Sequence, residues 1–265
     1  MTTHAIDPSR LVFIGGLHRS GTTALGRILA DHPDFSGFRG TGAKEDEGQH
    51  LQDTYAPAIR HGGPGRFARH ARAHLTSADD PEGDRRRLLR SWQPHWDLSR
   101  PMLVEKSPPN LIMGRYLQQV FPGSALVVIV RHPVVVALST KKWAPRESLA
   151  RLVEHWFIAH DLLRADARHL ARLHLVHYEH LVADPEHTLD QIADFLGART
   201  PFAAARVQST RSSPYIDRWN SMASGHAWSR RQYQLISRRF AERGLGYGYD
   251  IADPTALPRP LLSLP

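Results

Sequence analysis

A glycine-rich segment near the N-terminus has the residue types and spacing of an anion-binding loop. Residues 16–23 read Gly-Leu-His-Arg-Ser-Gly-Thr-Thr, which fits the G-x-x-x-x-G spacing of a phosphate loop. In such a loop, backbone N–H groups converge on an anion at the positive end of the following helix. A nucleoside triphosphate site would have Lys at position 22, but this chain has Thr22 there and places its cation earlier, at Arg19.

A second candidate anion contact lies in the middle of the chain. Arg131 directly follows the apolar run 126–130, and Ser139 comes eight residues later. Ligands of open α/β sheets bind beyond the carboxyl ends of the strands, which is where Arg131 is predicted to lie. Pro133 suits the start of a helix that would carry Ser139 about two turns along. An arginine and a serine so placed can hold one phosphate, although this pair alone could also be a surface ion pair and a packed serine.

The amino-acid composition excludes several kinds of catalysis and of binding partner. The chain has 265 residues and no cysteine, which excludes disulfides, thiol catalysis and cysteine-ligated zinc. Its net charge of +8 suits an anionic ligand. The arginines at 85–87 are read as a solvated helix face, so no nucleic-acid partner is expected. His70 and His74 are four residues apart but lack an acidic or cysteine partner nearby, so no metal site is predicted.

The elements that would position these residues alternate between strands and helices. Apolar runs at 11–14, 102–104, 126–130 and 173–178 predict buried strands. Helical spacing is found at 22–30, 134–142, 147–170, 185–196 and 230–243, and the polar insert 40–100 offers helical pieces at 46–60, 66–75 and 82–92. This alternation predicts an α/β fold with a central parallel sheet covered by helices on both faces, formed by residues 1–265 as a single domain.

The apolar runs are too short to span a membrane, and residues 1–10 contain no long apolar run. A secretory signal and a membrane partner are therefore not expected. We predict a cytoplasmic protein.

Taken together, the motifs resemble those of the sulfotransferases that use 3′-phosphoadenosine 5′-phosphosulfate (PAPS), nearest to the tyrosylprotein sulfotransferases and their bacterial relatives. The resemblance rests on the loop 19–23, on Arg131 with Ser139, on Glu-Lys-Ser-Pro at 105–108, on His-Tyr-Glu-His-Leu at 177–181, and on Phe-Leu-Gly at 195–197. Leu-Gly-Tyr at 245–247 is similar to a C-terminal motif of the tyrosylprotein enzymes. The resemblance implies the P-loop-like sulfotransferase fold and PAPS as co-substrate.

The resemblance also implies roles for individual residues. The donor's 5′-phosphosulfate would be bound by the loop residues His18, Arg19, Ser20, Gly21, Thr22 and Thr23. Arg131 and Ser139 would bind its 3′-phosphate, and Tyr178 its adenine. Residues 211–219 look like a loop that closes over the nucleotide, within which Ser212 and Arg218 are the expected contacts.

Sulfuryl transfer needs in-line positioning and stabilisation of the charge that grows on the leaving oxygen. We assign Arg19 and Lys106 to that charge and expect no metal. In the tyrosylprotein enzymes a Glu shortly after the phosphate-loop helix is the base. The corresponding acidic cluster here is Glu45, Asp46 and Glu47, with His50 nearby. We choose Glu47, because a helix starting near Asp46 would place Glu47 and His50 on one face.

The acceptor is expected to be a hydroxyl or amine of a small molecule, a carbohydrate or a phenol, and the insert 40–100 is expected to shape its site. Two other functions stay open: a nucleotide-dependent kinase with a degenerate phosphate loop, and a non-catalytic anion-binding protein. A requirement for magnesium would favour the kinase. Basic residues gathered on one surface, and not around a cleft, would favour the binding protein.

Overall fold

The computed structural model describes residues 6–207 and 209–259, and the side chain of Ser209 is not described. Its centre is one five-stranded sheet in the order β2-β3-β1-β4-β5, in which all neighbouring strands run parallel. The strands are β1 (Leu11–Gly15), β2 (Phe35–Gly37), β3 (Met102–Lys106), β4 (Ala125–Val130) and β5 (Leu173–His177). Strands β1 and β4 are buried along their whole length, as expected for parallel strands covered on both faces.

Nine helices of this part of the chain surround the sheet. They are α1 (Thr22–Asp31), α2 (Pro81–Trp92), α3 (Gly114–Val120), α4 (Pro133–Thr140), α5 (Leu149–Ala167), α6 (Tyr178–Ala183), α7 (Pro185–Leu196), α8 (Ser213–Ser224) and α9 (Ala227–Leu245). One hydrophobic cluster joins Phe13 of β1 to Trp156 of α5, and a second joins Ile14 of β1 to Leu25 of α1. Successive strand residues thus face opposite layers, and the predicted α/β fold with helices on both faces is confirmed.

The insert differs from the prediction. The helices expected at 46–60 and 66–75 are wrong: these stretches consist of short 3-10 turns, including Gly48–His50, Ala58–His61 and Phe67–Arg69. Glycines at 62, 63 and 65 adopt positive φ, which ends any helix there. Only the third piece is a helix, α2, which begins where the Asp80 carboxylate accepts a hydrogen bond from the Gly83 N–H.

Other helices and strands also differ from the prediction. Strand β2 and helix α3 were not predicted. The segment 211–219, expected as a loop, forms a 3-10 turn and then the first half of α8. The strand predicted to reach Tyr178 ends at His177, so Tyr178 begins α6. That residues 1–265 form a single domain stays a prediction.

Among residues 6–207 and 209–259, no helix is both long and apolar enough to cross a membrane. The expectation that there is no secretory signal rests on residues 1–10. Residues 1–5 of this segment lie outside the described residues.

Candidate functional site

The loop between β1 and α1 has the backbone of an anion-binding turn. Gly16 and Gly21 have φ of 148° and 110°, and Arg19 is also left-handed at 75°. Neither glycine can be replaced without a clash: a Cβ on Gly16 would lie 2.5 Å from the Ile129 carbonyl oxygen, and one on Gly21 would lie 2.9 Å from the Tyr178 ring. The first N–H groups of α1 have no partner inside the helix, so they can bind an anion held by this loop.

Four residues predicted from separate parts of the sequence meet beside this loop. Arg19 Nε donates to Ser139 Oγ at 2.9 Å. Arg131 donates from Nη1 to the Arg19 carbonyl oxygen at 2.9 Å and from Nη2 to Ser212 Oγ at 2.6 Å. These hydrogen bonds tie the loop, the end of β4, helix α4 and the start of α8 to one another.

Tyr178 forms one wall of this cluster. The Arg131 guanidinium lies 4.0 Å from the centroid of its ring, and the tyrosine itself is buried. Arg131 is buried as well, and its Nε has no hydrogen-bond partner among the described residues. Burial lowers the pKa of Arg131 from its ordinary value. The cluster therefore combines a buried cation, an aromatic face and a hydrogen-bond donor without a partner in the part of the chain that is described.

Tyr215 of α8 belongs to this cluster, although no individual role was predicted for it. Hydrogen bonds with Ser139 and Arg19 lower the pKa of its hydroxyl. Arg218 lies three residues further along the helix, on an exposed position, and makes no hydrogen bond or ion pair within the described part of the chain. Of the predicted residues in this segment, Ser212 joins the cluster and Arg218 does not contact it.

Lys106 is the last residue of β3, and its ammonium group meets the acidic segment of the insert. Lys106 Nζ donates to the Glu45 carbonyl oxygen at 2.8 Å and to Glu47 Oε1 at 3.3 Å. Both side chains of this ion pair are more than nine-tenths buried. His50 Nε2 lies 3.7 Å from Glu47 Oε2, so these two residues face each other as expected. The helix invoked to bring them together is wrong, since Glu47 connects two 3-10 turns.

The neighbouring acids have other environments. The Glu45 side chain is exposed, and the Asp46 carboxylate accepts two hydrogen bonds of 2.8 Å from the backbone and side chain of Thr41. Both residues adopt left-handed φ, 54° and 50°. Within the acidic cluster, Glu47 is therefore the carboxylate paired with Lys106.

Sequence reasoning gave no role to Glu105, which anchors the loop that carries Glu47. Its fully buried carboxylate accepts hydrogen bonds from the Gly48 N–H at 3.0 Å, from Ser107 Oγ at 2.6 Å and from Asn110 Nδ2 at 2.6 Å. Burial raises the pKa of Glu105 to about 7. A charged residue inside an otherwise apolar strand was the signal that could have identified it.

The remaining loop residues have distinct surroundings. The His18 ring packs edge-on against Phe67, with centroids 5.6 Å apart, and burial lowers its pKa to about 3, so it is neutral. Ser20 is fully buried, and its Oγ has no hydrogen-bond partner among residues whose placement is described. Thr22 is buried at the start of α1, and Thr23 opens onto a cleft.

That cleft has a volume of about 340 Å³ and runs along α1. Its lining residues include Glu45, Lys106, Tyr178, Leu181 and Val207. It is thus large enough to contain an extended ligand that contacts the loop and Lys106. Among the described residues, no group of three or more His, Asp or Glu side chains could hold a metal ion.

Comparisons with known proteins agree with this arrangement. A family profile described as "Sulfotransferase family" matches residues 11–201. A protein-tyrosine sulfotransferase of Drosophila melanogaster is 26% identical in an alignment 207 residues long that covers 70% of this chain and 38% of that protein. This chain thus spans less than half the length of that relative.

Solved structures share the fold. Sulfotransferase STF9 from Mycobacterium avium superimposes with a TM-score of 0.53 at 15% identity, covering 92% of this chain and 78% of that one. The sulfotransferase domain of the Synechococcus PCC 7002 olefin synthase gives 0.51 at 20% identity, covering 87% and 94%. The profile match extends over most of the chain, from β1 beyond α7, and includes the positions of both predicted anion contacts and of Lys106. The chain therefore belongs to the sulfotransferase family.

Proposed function

We propose that this protein transfers the sulfuryl group of PAPS to a hydroxyl, or an amine, of a small-molecule, carbohydrate or phenolic acceptor. The proposal rests on Arg131, which joins the two predicted anion contacts. It donates one hydrogen bond to the Arg19 carbonyl oxygen and another to Ser212 Oγ. PAPS carries an anionic group at each of two positions on one nucleoside. A site with two adjacent anion contacts and an aromatic wall matches that distribution.

Two buried hydrogen-bond donors without partners among the described residues support the binding of PAPS at this site. Ser20 Oγ and Arg131 Nε are both buried without partners in the described structure, whereas buried polar groups are nearly always paired. The loop 18–23 would bind the phosphosulfate together with the N–H groups of α1. Arg131, Ser139 and Ser212 would bind the 3′-phosphate, with Arg218 as a further contact from α8. The Tyr178 ring and the cleft beside it would hold the adenine.

The catalytic step is assigned to Glu47, Arg19 and Lys106, of which Lys106 lines the cleft. The acceptor oxygen attacks sulfur, the bond from sulfur to the 5′-phosphate oxygen breaks, and the acceptor proton passes to Glu47. Negative charge then grows on the released phosphate oxygen, where Arg19, Lys106 and the N-terminus of α1 supply positive charge. A sulfuryl group carries less negative charge than a phosphoryl group, so these side chains would suffice without a metal ion. The second product is adenosine 3′,5′-bisphosphate.

A screen of acceptors tests this function. Sulfur-labelled PAPS is incubated with the protein and a set of phenols, sugars and amines, and products are identified by mass spectrometry. We expect label on at least one hydroxyl or amine, in an amount equal to the adenosine 3′,5′-bisphosphate formed. A protein that binds PAPS and transfers label to none of these classes would contradict the proposal. A cytoplasmic location and the absence of nucleic-acid and membrane partners stay predictions from the sequence.

A further inference from the structure

The peptide group that follows Arg131 is held from both sides. Its carbonyl oxygen accepts a hydrogen bond from Trp156 Nε1 at 2.9 Å, and its N–H, which belongs to His132, donates to Glu179 Oε1 at 2.8 Å. Trp156 is fully buried in α5, and Glu179 lies in the first turn of α6. Two side chains from other helices therefore fix the backbone at the base of the Arg131 side chain.

Tyr249 holds the other oxygen of the Glu179 carboxylate. Its hydroxyl lies 3.0 Å from Glu179 Oε2 and 2.9 Å from His177 Nδ1. A carboxylate oxygen accepts, so the hydroxyl donates to Glu179 and accepts from the Nδ1–H of His177. Burial lowers the pKa of His177 to about 4, so its ring is neutral and has one N–H for this bond. Because Tyr249 is only 1% exposed, these contacts and not water orient its hydroxyl.

The segment that contains Tyr249 also contacts the side chain of His132. The rings of His132 and Tyr249 meet edge to face with centroids 5.3 Å apart. His132 Nδ1 accepts a hydrogen bond from the Val134 N–H at 3.3 Å, so Nε2 carries the proton and donates to the Asp250 carbonyl oxygen at 2.9 Å. The residue next to Arg131 is thus held through its ring as well as through its backbone.

Helices α8 and α9 lead from one part of Arg131 to another. Helix α8 begins after Ser212, which accepts from Arg131 Nη2 at 2.6 Å, and α9 ends at Leu245, four residues before Tyr249. The chain between them therefore leaves the guanidinium group of Arg131 and returns to the carboxylate that holds its backbone. Hydrogen bonds to a phosphate depend on the direction of the donor N–H groups, so a displaced guanidinium binds it less well.

From these contacts we infer that Tyr249 is a positioning residue for the 3′-phosphate contact. Through Glu179 it holds the backbone of Arg131 where the guanidinium group reaches that phosphate, and it does not touch the nucleotide itself. This inference rests on the proposed function, because it requires that Arg131 binds the 3′-phosphate.

Calorimetry with two nucleotides tests the inference without turnover. Tyr249→Phe keeps the ring and removes the hydroxyl, and the preference for adenosine 3′,5′-bisphosphate over adenosine 5′-phosphate should fall about fivefold or more. Tyr247→Phe is the matched control, because that hydroxyl binds a different carboxylate, Asp161 Oδ1, at 2.5 Å. It should lower the Tm to a similar degree and keep the wild-type preference. An unchanged preference in Tyr249→Phe, or an equal loss in Tyr247→Phe, would overturn the inference.

A double-mutant cycle separates positioning from a general loss of stability. In Arg131→Ala the 3′-phosphate contact is already lost, so adding Tyr249→Phe should not lower the preference further. Losses that add would show that Tyr249 acts on the nucleotide by another route, which would contradict the inference.

Glu179→Gln is a second variant that breaks the same connection. An amide has a single acceptor oxygen, so it cannot accept from the His132 N–H at one end and the Tyr249 hydroxyl at the other. The preference should fall as in Tyr249→Phe. If neither variant folds, the contact serves stability and the inference is overturned.

The same measurements distinguish this inference from the proposed function. A wild type that binds both nucleotides equally refutes the role of Arg131, and the role of Tyr249 with it. A wild-type preference that is lost in Arg131→Ala but kept in Tyr249→Phe refutes the role of Tyr249 alone.

Discussion

Lys106 Nζ lies 3.3 Å from Glu47 Oε1, and this buried ion pair joins the end of a central strand to the insert. Lys106 lies two residues beyond the predicted strand 102–104, and Glu47 lies in the insert, where the structure has 3-10 turns in place of the predicted helix. A buried pair of opposite charges is costly to form unless it serves a purpose or is fully hydrogen-bonded. Here each partner has a proposed role in transfer, Lys106 at the leaving oxygen and Glu47 at the acceptor.

Glu47→Gln should lower turnover by roughly a hundredfold or more, the usual effect of losing a general base. The amide keeps the size of the side chain, so affinity for adenosine 3′,5′-bisphosphate should not change. Steady-state kinetics and calorimetry measure the two quantities. Glu45→Gln is the matched control, because that side chain is exposed, and it should retain activity. Near-normal turnover in Glu47→Gln would refute the assignment and turn attention to Glu45 and His50.

Arg131→Ala should weaken binding of adenosine 3′,5′-bisphosphate by about 2 kcal/mol or more, because a charge-assisted hydrogen bond is lost. Adenosine 5′-phosphate lacks the 3′-phosphate, so its affinity should fall much less in Arg131→Ala. Calorimetry with both nucleotides measures the difference. Arg239→Ala removes an arginine that pairs with Glu154 and should leave both affinities intact. If the wild type binds both nucleotides equally, Arg131 does not recognise the 3′-phosphate.

Excess chelator should leave the rate of sulfuryl transfer unchanged. The positive field at the leaving oxygen is assigned to Arg19, Lys106 and the N–H groups of α1, none of which needs a metal. The measurement is an initial rate with and without chelator. A rate that collapses and then returns with magnesium would favour the kinase alternative.

Acidification should destabilise the protein between about pH 6.5 and pH 4. Burial lowers the pKa of His132, His160 and His177 to about 4, and that of His18 and His155 to about 3, from an ordinary value of 6.5. Below pH 6.5 the unfolded chain therefore binds more protons than the folded one, so the free energy of unfolding falls as the pH falls. Each histidine contributes on the order of 1 kcal/mol by pH 5.

Glu105 and Glu179 act in the opposite sense, since burial raises the pKa of Glu105 to about 7 and raises that of Glu179 as well, but they are two groups against these five histidines. Urea unfolding at pH 7 and pH 5 measures the net effect. His160→Gln should make the pH dependence shallower, and the exposed His187→Gln should leave it as in the wild type. Stability that is equal at the two pH values would show that the buried histidines do not control it.

Four of the five strands could be predicted, because they contain apolar runs such as 11–14 and 126–130, whereas the three-residue strand β2 has no such run. Two of the three helices predicted in the insert, at 46–60 and 66–75, are wrong, because long-range contacts hold turns such as Gly48–His50. Trp92 Nε1 donates to the Gly48 carbonyl at 3.0 Å, and Glu105 binds the Gly48 N–H from 57 residues away. Local helical spacing carries no information about such bonds.

The residues proposed to bind the anion were chosen through motifs whose spacing is local. Arg19 and Ser139 contact each other across 120 residues, yet each could be identified within its own short motif. Tyr215 and Glu105 were missed, because their importance lies in contacts with other segments. Glu47 was chosen for a shared helix face with His50. The two side chains do face each other, but across 3-10 turns.

Sulfuryl transfer is tested most directly by offering the protein two donors. Sulfur-labelled PAPS and γ-phosphate-labelled ATP with magnesium are supplied in parallel to the wild type and to Lys106→Ala, with the acceptor found by screening. We expect label transfer from PAPS alone, with equal amounts of sulfated product and adenosine 3′,5′-bisphosphate, and a rate at least about a hundredfold lower in Lys106→Ala. Transfer from ATP would contradict the proposal that PAPS is the donor. Transfer from PAPS that does not depend on Lys106 would contradict the role of Lys106 at the leaving oxygen.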